Sequence, residues 1–173
     1  MADDIDLWEA HSGWWQDGFT DGADPEYEEQ ILPIAANLLS GYDRILDVGT
    51  GEGQVARLAA AQGSSLVAGI DPTANQVAVA AERAGGPVYA RSGADALPFA
   101  DEAFDAVVAC LVFEHIEAVD AAIDEVAEQH RGAPVGVDGV DESPRGVADQ
   151  LPPEALEQRL ELGAAAVHVP DHV

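Results

Sequence analysis

The stretch Arg44-Ile-Leu-Asp-Val-Gly-Thr-Gly-Glu-Gly-Gln-Val-Ala-Arg-Leu58 constrains the fold of this chain more than any other. A short apolar run (Ile45, Leu46, Val48) stops at three alternating glycines, Gly49, Gly51 and Gly53, and a helix-compatible run over 54–62 follows at once. Strand, tight turn and helix start, in that order, open a βαβ unit and with it a parallel sheet. Glycine lets the turn take positive φ and approach a ligand closely, because no Cβ intervenes. The new helix aims unpaired N–H groups and its positive end at the same place. The alternative is a glycine turn that binds nothing, although a plain turn rarely needs three glycines.

Spacing separates the glycine loops whose ligands are known. The dinucleotide fingerprint is G-x-G-x-x-G. Here the third glycine arrives one residue early, and Asp47 stands two residues before the first. A Walker-type loop requires G-K-[S/T], and this chain contains no lysine. Asp47-Val-Gly-Thr-Gly-Glu-Gly53 instead resembles the first motif of class I S-adenosylmethionine-dependent methyltransferases. The resemblance implies a Rossmann-like three-layer α/β sandwich with a mostly parallel sheet, and S-adenosyl-L-methionine as cofactor. It also implies that Asp47 and the three glycines hold the methionine end, where a carboxylate gives the ammonium charge-assisted hydrogen bonds.

Composition limits the partners. Seven Lys+Arg against 33 Asp+Glu leave a formal charge of −26 over 173 residues. Such a surface repels phosphate backbones, so nucleic acid is disfavoured as a substrate. A chain of this length is one domain by the usual size prior, large enough for a real core. The single cysteine, Cys110, excludes an internal disulfide framework and fits a reducing compartment. No apolar run reaches the ~20 residues of a membrane span, and the acidic N-terminus is unlike a signal peptide, so the chain reads as cytoplasmic.

Beyond the glycine loop, Ser65–Ile70 is a second apolar run, read as a parallel neighbour of the first, and it ends in Asp71-Pro72. In nucleoside-binding α/β folds an acid ~20 residues past the glycines accepts bonds from ribose hydroxyls, and Asp71 fits that distance. The alternative is a cap for the helix expected over 74–84, but the pairing with the glycine motif makes the ribose reading the stronger one. A short strand, 88–90, precedes Ser92-Gly-Ala-Asp-Ala-Leu-Pro-Phe-Ala-Asp-Glu-Ala-Phe-Asp105 and a further strand over 106–111. That stretch resembles the methyltransferase pattern G-D-A-x-x-L-P-F…F-D-x-V, with Leu97, Pro98, Phe99, Phe104 and Asp105 in register. The acid usual in the family falls on Gly93. The resemblance places Gly93, Ala94 and Asp95 at the adenine, with either the Asp95 side chain or the Ala94 backbone as the contact. It places Cys110 and Leu111 beside the transferring methyl. His115 just beyond is a candidate general base if the acceptor must lose a proton, or else a packing or capping residue. Cys110 is more often a small buried hydrophobe than a nucleophile. A helix is expected over 117–129.

The N-terminal part carries Trp8, Trp14 and Trp15, read as packing on the sheet or as a lid over the ligand cleft. Asp24-Pro25-Glu26 reads as a helix start, and Pro33 interrupts the apolar stripe of that helix and kinks it. After Gln129 the resemblance ends. Residues 130–146 are rich in Gly, Pro and Asp with no strand of useful length. The Ala, Gly, Val, Arg and Pro bias there is what a shifted frame in GC-rich coding sequence gives. A helix over 151–162 is the one further element expected, and Pro170 between His168 and His172 argues against a metal site.

Three parts are therefore expected: residues 1–24 as an N-terminal helical or lid segment, 25–129 as the cofactor-binding core, and 130–173 as an atypical tail that leaves the sheet incomplete. The expected function is S-adenosylmethionine-dependent methylation of a small-molecule acceptor, without nucleic acid, membrane span or metal. A module that binds the cofactor and transfers nothing is the first alternative, and a nicotinamide-dependent oxidoreductase the second.

Overall fold

The computed structural model describes residues 27–116 and 118–130, together with 8–10, 13, 16 and 25. Trp14, Trp15, Asp24, Glu26, the expected helix over 151–162, His168 and His172 lie outside the described residues. Among the described residues four strands, β1 (Arg44–Val48), β2 (Leu66–Asp71), β3 (Val88–Arg91) and β4 (Ala106–Ala109), form one sheet in the order β3-β2-β1-β4. Every pairing is parallel, with Asp47 of β1 opposite both Gly69 and Val108. The chain adds strands on one side of β1 and then crosses to the other. The order thus reverses between β1 and β4, and the crevice at their carboxyl ends is where open α/β sheets bind ligands.

The helices are α1 (Leu32–Leu39), α2 (Gln54–Ala61), α3 (Ala74–Arg83) and α4 (Val119–Glu128). Period-two alternation along the strands sends side chains to both faces of the sheet. Ile45, Val67, Ala106 and Val108 pack with Ala35 and Leu39 of α1 and Val55, Ala56 and Ala59 of α2. Leu46, Val48, Ala68, Ile70, Val107 and Ala109 pack on the other face with Leu97, Phe104 and Val126 of α4. This is the layered sandwich that the glycine loop implied.

Three boundaries differ from expectation. The strand expected over 106–111 stops at Ala109, because the chain bends at Cys110 and Leu111 takes a left-handed φ of 56°. The helix expected over 117–129 begins at Val119, after a 3₁₀ turn over Phe113–His115. Upstream, Pro33 does not kink an established helix. It sits in the first turn of α1, directly after a π-helical turn over Tyr27–Ile31. Proline has no N–H to close an i→i−4 bond, so the regular ladder cannot run through this point, and the wider turn takes up the mismatch.

The F-D motif is structural. Asp105 accepts hydrogen bonds from the backbone N–H of Arg44 at 2.8 Å and of Asp43 at 3.2 Å, while Arg44 Nε donates to the Ala103 carbonyl at 2.7 Å. This corner fixes where β4 starts relative to β1. Leu97 of the L-P-F motif is held similarly, its N–H donating to Glu125 Oε1 of α4 at 2.9 Å. His130 opens the stretch set apart on sequence, yet it is buried, forms a parallel bridge with Phe104 and places Nε2 at 3.1 Å from the Asp105 carbonyl oxygen.

Candidate functional site

A cavity of about 530 Å³ opens at the carboxyl ends of β1, β2 and β4. Its floor is the glycine loop, Gly49 to Glu52. One wall carries Asp71, Pro72, Thr73 and Gln76 from the end of β2 and the start of α3. Ser92 to Asp95 form a second wall, and Cys110, Leu111, Val112 and His115 a third. Trp8 and Tyr27 complete it from the N-terminal side. Of the residues singled out on sequence, eleven meet here: Trp8, Gly49, Gly51, Asp71, Pro72, Gly93, Ala94, Asp95, Cys110, Leu111 and His115.

Asp47 and Gly53 are not in the wall. Asp47 lies beneath the loop, 2 % exposed. Its Oδ2 accepts both the Thr50 hydroxyl at 2.7 Å and the Ala56 N–H at 3.1 Å. One carboxylate oxygen thus ties the loop to the first turn of α2. Burial pushes its pKa up to about 7, against the lowering effect of the two bonds. Gly53 is the N-cap of α2 in the left-handed region (φ 86°). Gly49 has φ 68°, and a Cβ there would collide with the side chain of Val112, so only glycine lets the segment after β4 close on the loop.

Asp71 faces the cavity. Its Oδ1 accepts the Thr73 N–H at 2.9 Å and the Thr73 hydroxyl at 2.5 Å, and its Oδ2 accepts the Gly51 N–H at 3.0 Å. Burial raises its pKa, offset by these bonds. The cap reading and the ligand reading therefore coexist. Counting the described residues alone, three bonds on a carboxylate with about four lone-pair sites leave one acceptor position. On the next wall, a Cβ at Gly93 would lie 2.6 Å from Asp95 Oδ1. The Asp95 carboxylate thus occupies the space where a side chain at 93 would begin.

Cys110 is half-buried, and burial together with Asp47 pushes its thiol up to about 12, so it stays neutral and acts as a small apolar group. Tyr27 was not found on sequence, because nothing local marks a residue that meets the loop only through the fold. Burial, with Cys110 and Asp47 nearby, holds its phenol well above the ordinary value, so it is a neutral hydrogen-bonding group. Glu52 was also missed: buried in the loop, it pairs with Arg83 of α3 and stands 3.9 Å from Arg57 of α2. His115 is exposed and meets the Trp8 ring edge-on, centroids 4.8 Å apart. Among the described residues no group of His, Cys, Asp and Glu has the arrangement of a metal site, and no helix is long and apolar enough to cross a membrane.

Residues 46–131, from β1 through α4, match the Methyltransferase domain family. This segment is similar to the class I S-adenosylmethionine-dependent methyltransferases. Its cofactor is S-adenosyl-L-methionine. Among solved structures it is similar to the YcgJ protein of Bacillus subtilis, with 28 % identity and TM-score 0.54 over 58 % of this chain and 45 % of that one. An S-adenosylmethionine-dependent methyltransferase of Mesorhizobium loti matches at 27 % identity and TM-score 0.54, over 66 % of this chain and 51 % of that one. At 19 % identity, a S-adenosylmethionine-dependent methyltransferase of Thermotoga maritima shares the fold, with TM-score 0.60 over 73 % of this chain and 56 % of that one. The chain spans about half the length of the solved structures it matches. No curated protein matches it.

The cavity fits the cofactor of this methyltransferase segment. Asp71 brings a carboxylate to one wall, the glycines of the loop present backbone without Cβ atoms, and Ala94 and Asp95 line the wall beyond.

Proposed function

We propose that the chain transfers a methyl group from S-adenosylmethionine to a small-molecule acceptor. The single observation that carries this reading is Asp71, a buried carboxylate at the end of β2 that faces the cavity with one acceptor position left. In this reading Asp71 and Pro72 hold the ribose, Gly93, Ala94 and Asp95 the adenine, and Gly49, Gly51 and Gly53 the methionine end. Asp47 supports that end through Thr50 and Ala56. Cys110 and Leu111 line the methyl side.

The bound cofactor supplies a methyl on a sulfonium, open to in-line displacement. The chain's part is to orient the acceptor and exclude water. Val112 and Ile116 give an apolar wall for that purpose, and Tyr27 adds a neutral phenol beside it. His115 accepts the proton when the acceptor is a hydroxyl or an acidic carbon. The charge of −26 favours a neutral or cationic acceptor over nucleic acid, and the lone cysteine suits a cytoplasmic setting.

Calorimetric titration with S-adenosylhomocysteine, with NAD as control, tests the cofactor assignment. Saturable binding of S-adenosylhomocysteine, weakened at least about ten-fold in Asp71→Ala, is expected. Binding of NAD alone would sink it. Binding without turnover across acceptor classes would favour a cofactor-binding module.

A further inference from the structure

Helix α3 begins in an unusual way. Its N-cap is Thr73, a residue whose hydroxyl ordinarily accepts an N–H of the first turn. Here the hydroxyl is turned away, donating to Asp71 Oδ1, and no side-chain cap bond comes from Thr73. The place is taken from far along the chain. Glu9 Oε2 accepts the Ala74 N–H at 2.7 Å and Glu9 Oε1 accepts the Asn75 N–H at 3.0 Å. A carboxylate at a helix N-terminus is favoured by the dipole as well as by the two bonds. Gln16 adds a second tie to the same helix, its Nε2 donating to Gln76 Oε1 at 2.9 Å.

The neighbour of Glu9 is Trp8, which lines the cavity and packs against His115 on the opposite wall. The clasp on α3 and the ring contact on His115 therefore fall on the two sides of the crevice. We propose that Glu9 is the cap of α3 supplied from a distant part of the chain, and that this clasp holds Trp8 across the cavity, so that bound cofactor leaves only after the clasp opens. The proposal rests on the reading of this cavity as the S-adenosylmethionine site. It explains why Thr73 can commit its hydroxyl to Asp71: Glu9 caps the helix, leaving Thr73 to orient the ribose acid.

Stopped-flow dissociation of S-adenosylhomocysteine from Glu9→Ala, Glu9→Gln and Trp8→Ala tests it, alongside amide exchange at Ala74 and Asn75. Loss of a cap shifts an opening equilibrium by about five-fold or more, so Glu9→Ala should release the ligand faster by that factor. Glu9→Gln keeps one acceptor oxygen and should fall between. Trp8→Ala should match Glu9→Ala in release rate while Ala74 and Asn75 stay protected. Faster exchange at those amides with an unchanged release rate would overturn the proposal, leaving Glu9 a cap only. If the wild type binds no S-adenosylhomocysteine, it is the cofactor assignment that fails. The clasp is then decided by acrylamide quenching of Trp8 in a chain carrying Trp14→Phe and Trp15→Phe: greater quenching in Glu9→Ala upholds it, and equal quenching overturns it.

Discussion

Asp47→Asn should stabilise this protein at neutral and alkaline pH, although the residue lies under the loop that defines the family. The cause is burial. Asp47 is 2 % exposed, and its pKa rises from 3.8 to about 7 in the folded chain. Because the folded value is the higher one, the folded state binds the proton more tightly than the unfolded state does. The stability from this site is fully present below the unfolded pKa and is lost as pH rises through 7. A shift of about three units at ~1.4 kcal/mol each makes the loss about 4 kcal/mol above pH 7, more than half of it developing between pH 5 and pH 8. Asparagine carries no charge to bury. Both hydrogen bonds to Asp47 end on the same oxygen, Oδ2, so an asparagine carbonyl in that position keeps the Thr50 and Ala56 contacts. Urea unfolding of wild type and Asp47→Asn at pH 5, 6, 7 and 8 measures the difference and cancels the other carboxylates. The variant's advantage should grow by about 2–3 kcal/mol over that range. A flat difference, or a variant less stable at every pH, would refute the argument that the charge is held at a cost by burial.

Other substitutions probe the frame around the cavity. Gly49→Ala combines a left-handed φ with a collision against Val112 and should cost about 3 kcal/mol by chemical denaturation; a neutral result would mean that the segment after β4 does not close on the loop. Asp105→Ala removes the acceptor for Asp43 and Arg44 and should cost about 1 kcal/mol without weakening S-adenosylhomocysteine binding, whereas a selective loss of binding would move the F-D motif into the site. Phe104→Ala empties a fully buried position that meets Phe99 edge-on at 5.0 Å and should cost about 3–5 kcal/mol by thermal unfolding.

The sequence by itself determined the strand–glycine–helix unit, the parallel partner ending in Asp71 and the class of cofactor. Each is encoded in contiguous residues: an apolar run matches a strand buried on both faces, and alternating glycines match a turn with positive φ. The strand start at Arg44 and the helix start at Gln54 coincide with expectation for that reason. Only the tertiary structure decided what those residues touch. Leu111 gives no local sign of its left-handed backbone, which shortens β4 and swings Val112 onto Gly49. Asp47 reads as a ligand-facing acid until the fold turns its carboxylate toward Thr50 and Ala56. Tyr27 reaches the wall, Glu52 finds Arg83, and Glu9 finds the start of α3 only when distant segments are packed together. Local periodicity and turn chemistry are properties of neighbours along the chain. The partner of a buried charge, or of an uncapped helix end, is settled by which surfaces the whole sheet brings into contact.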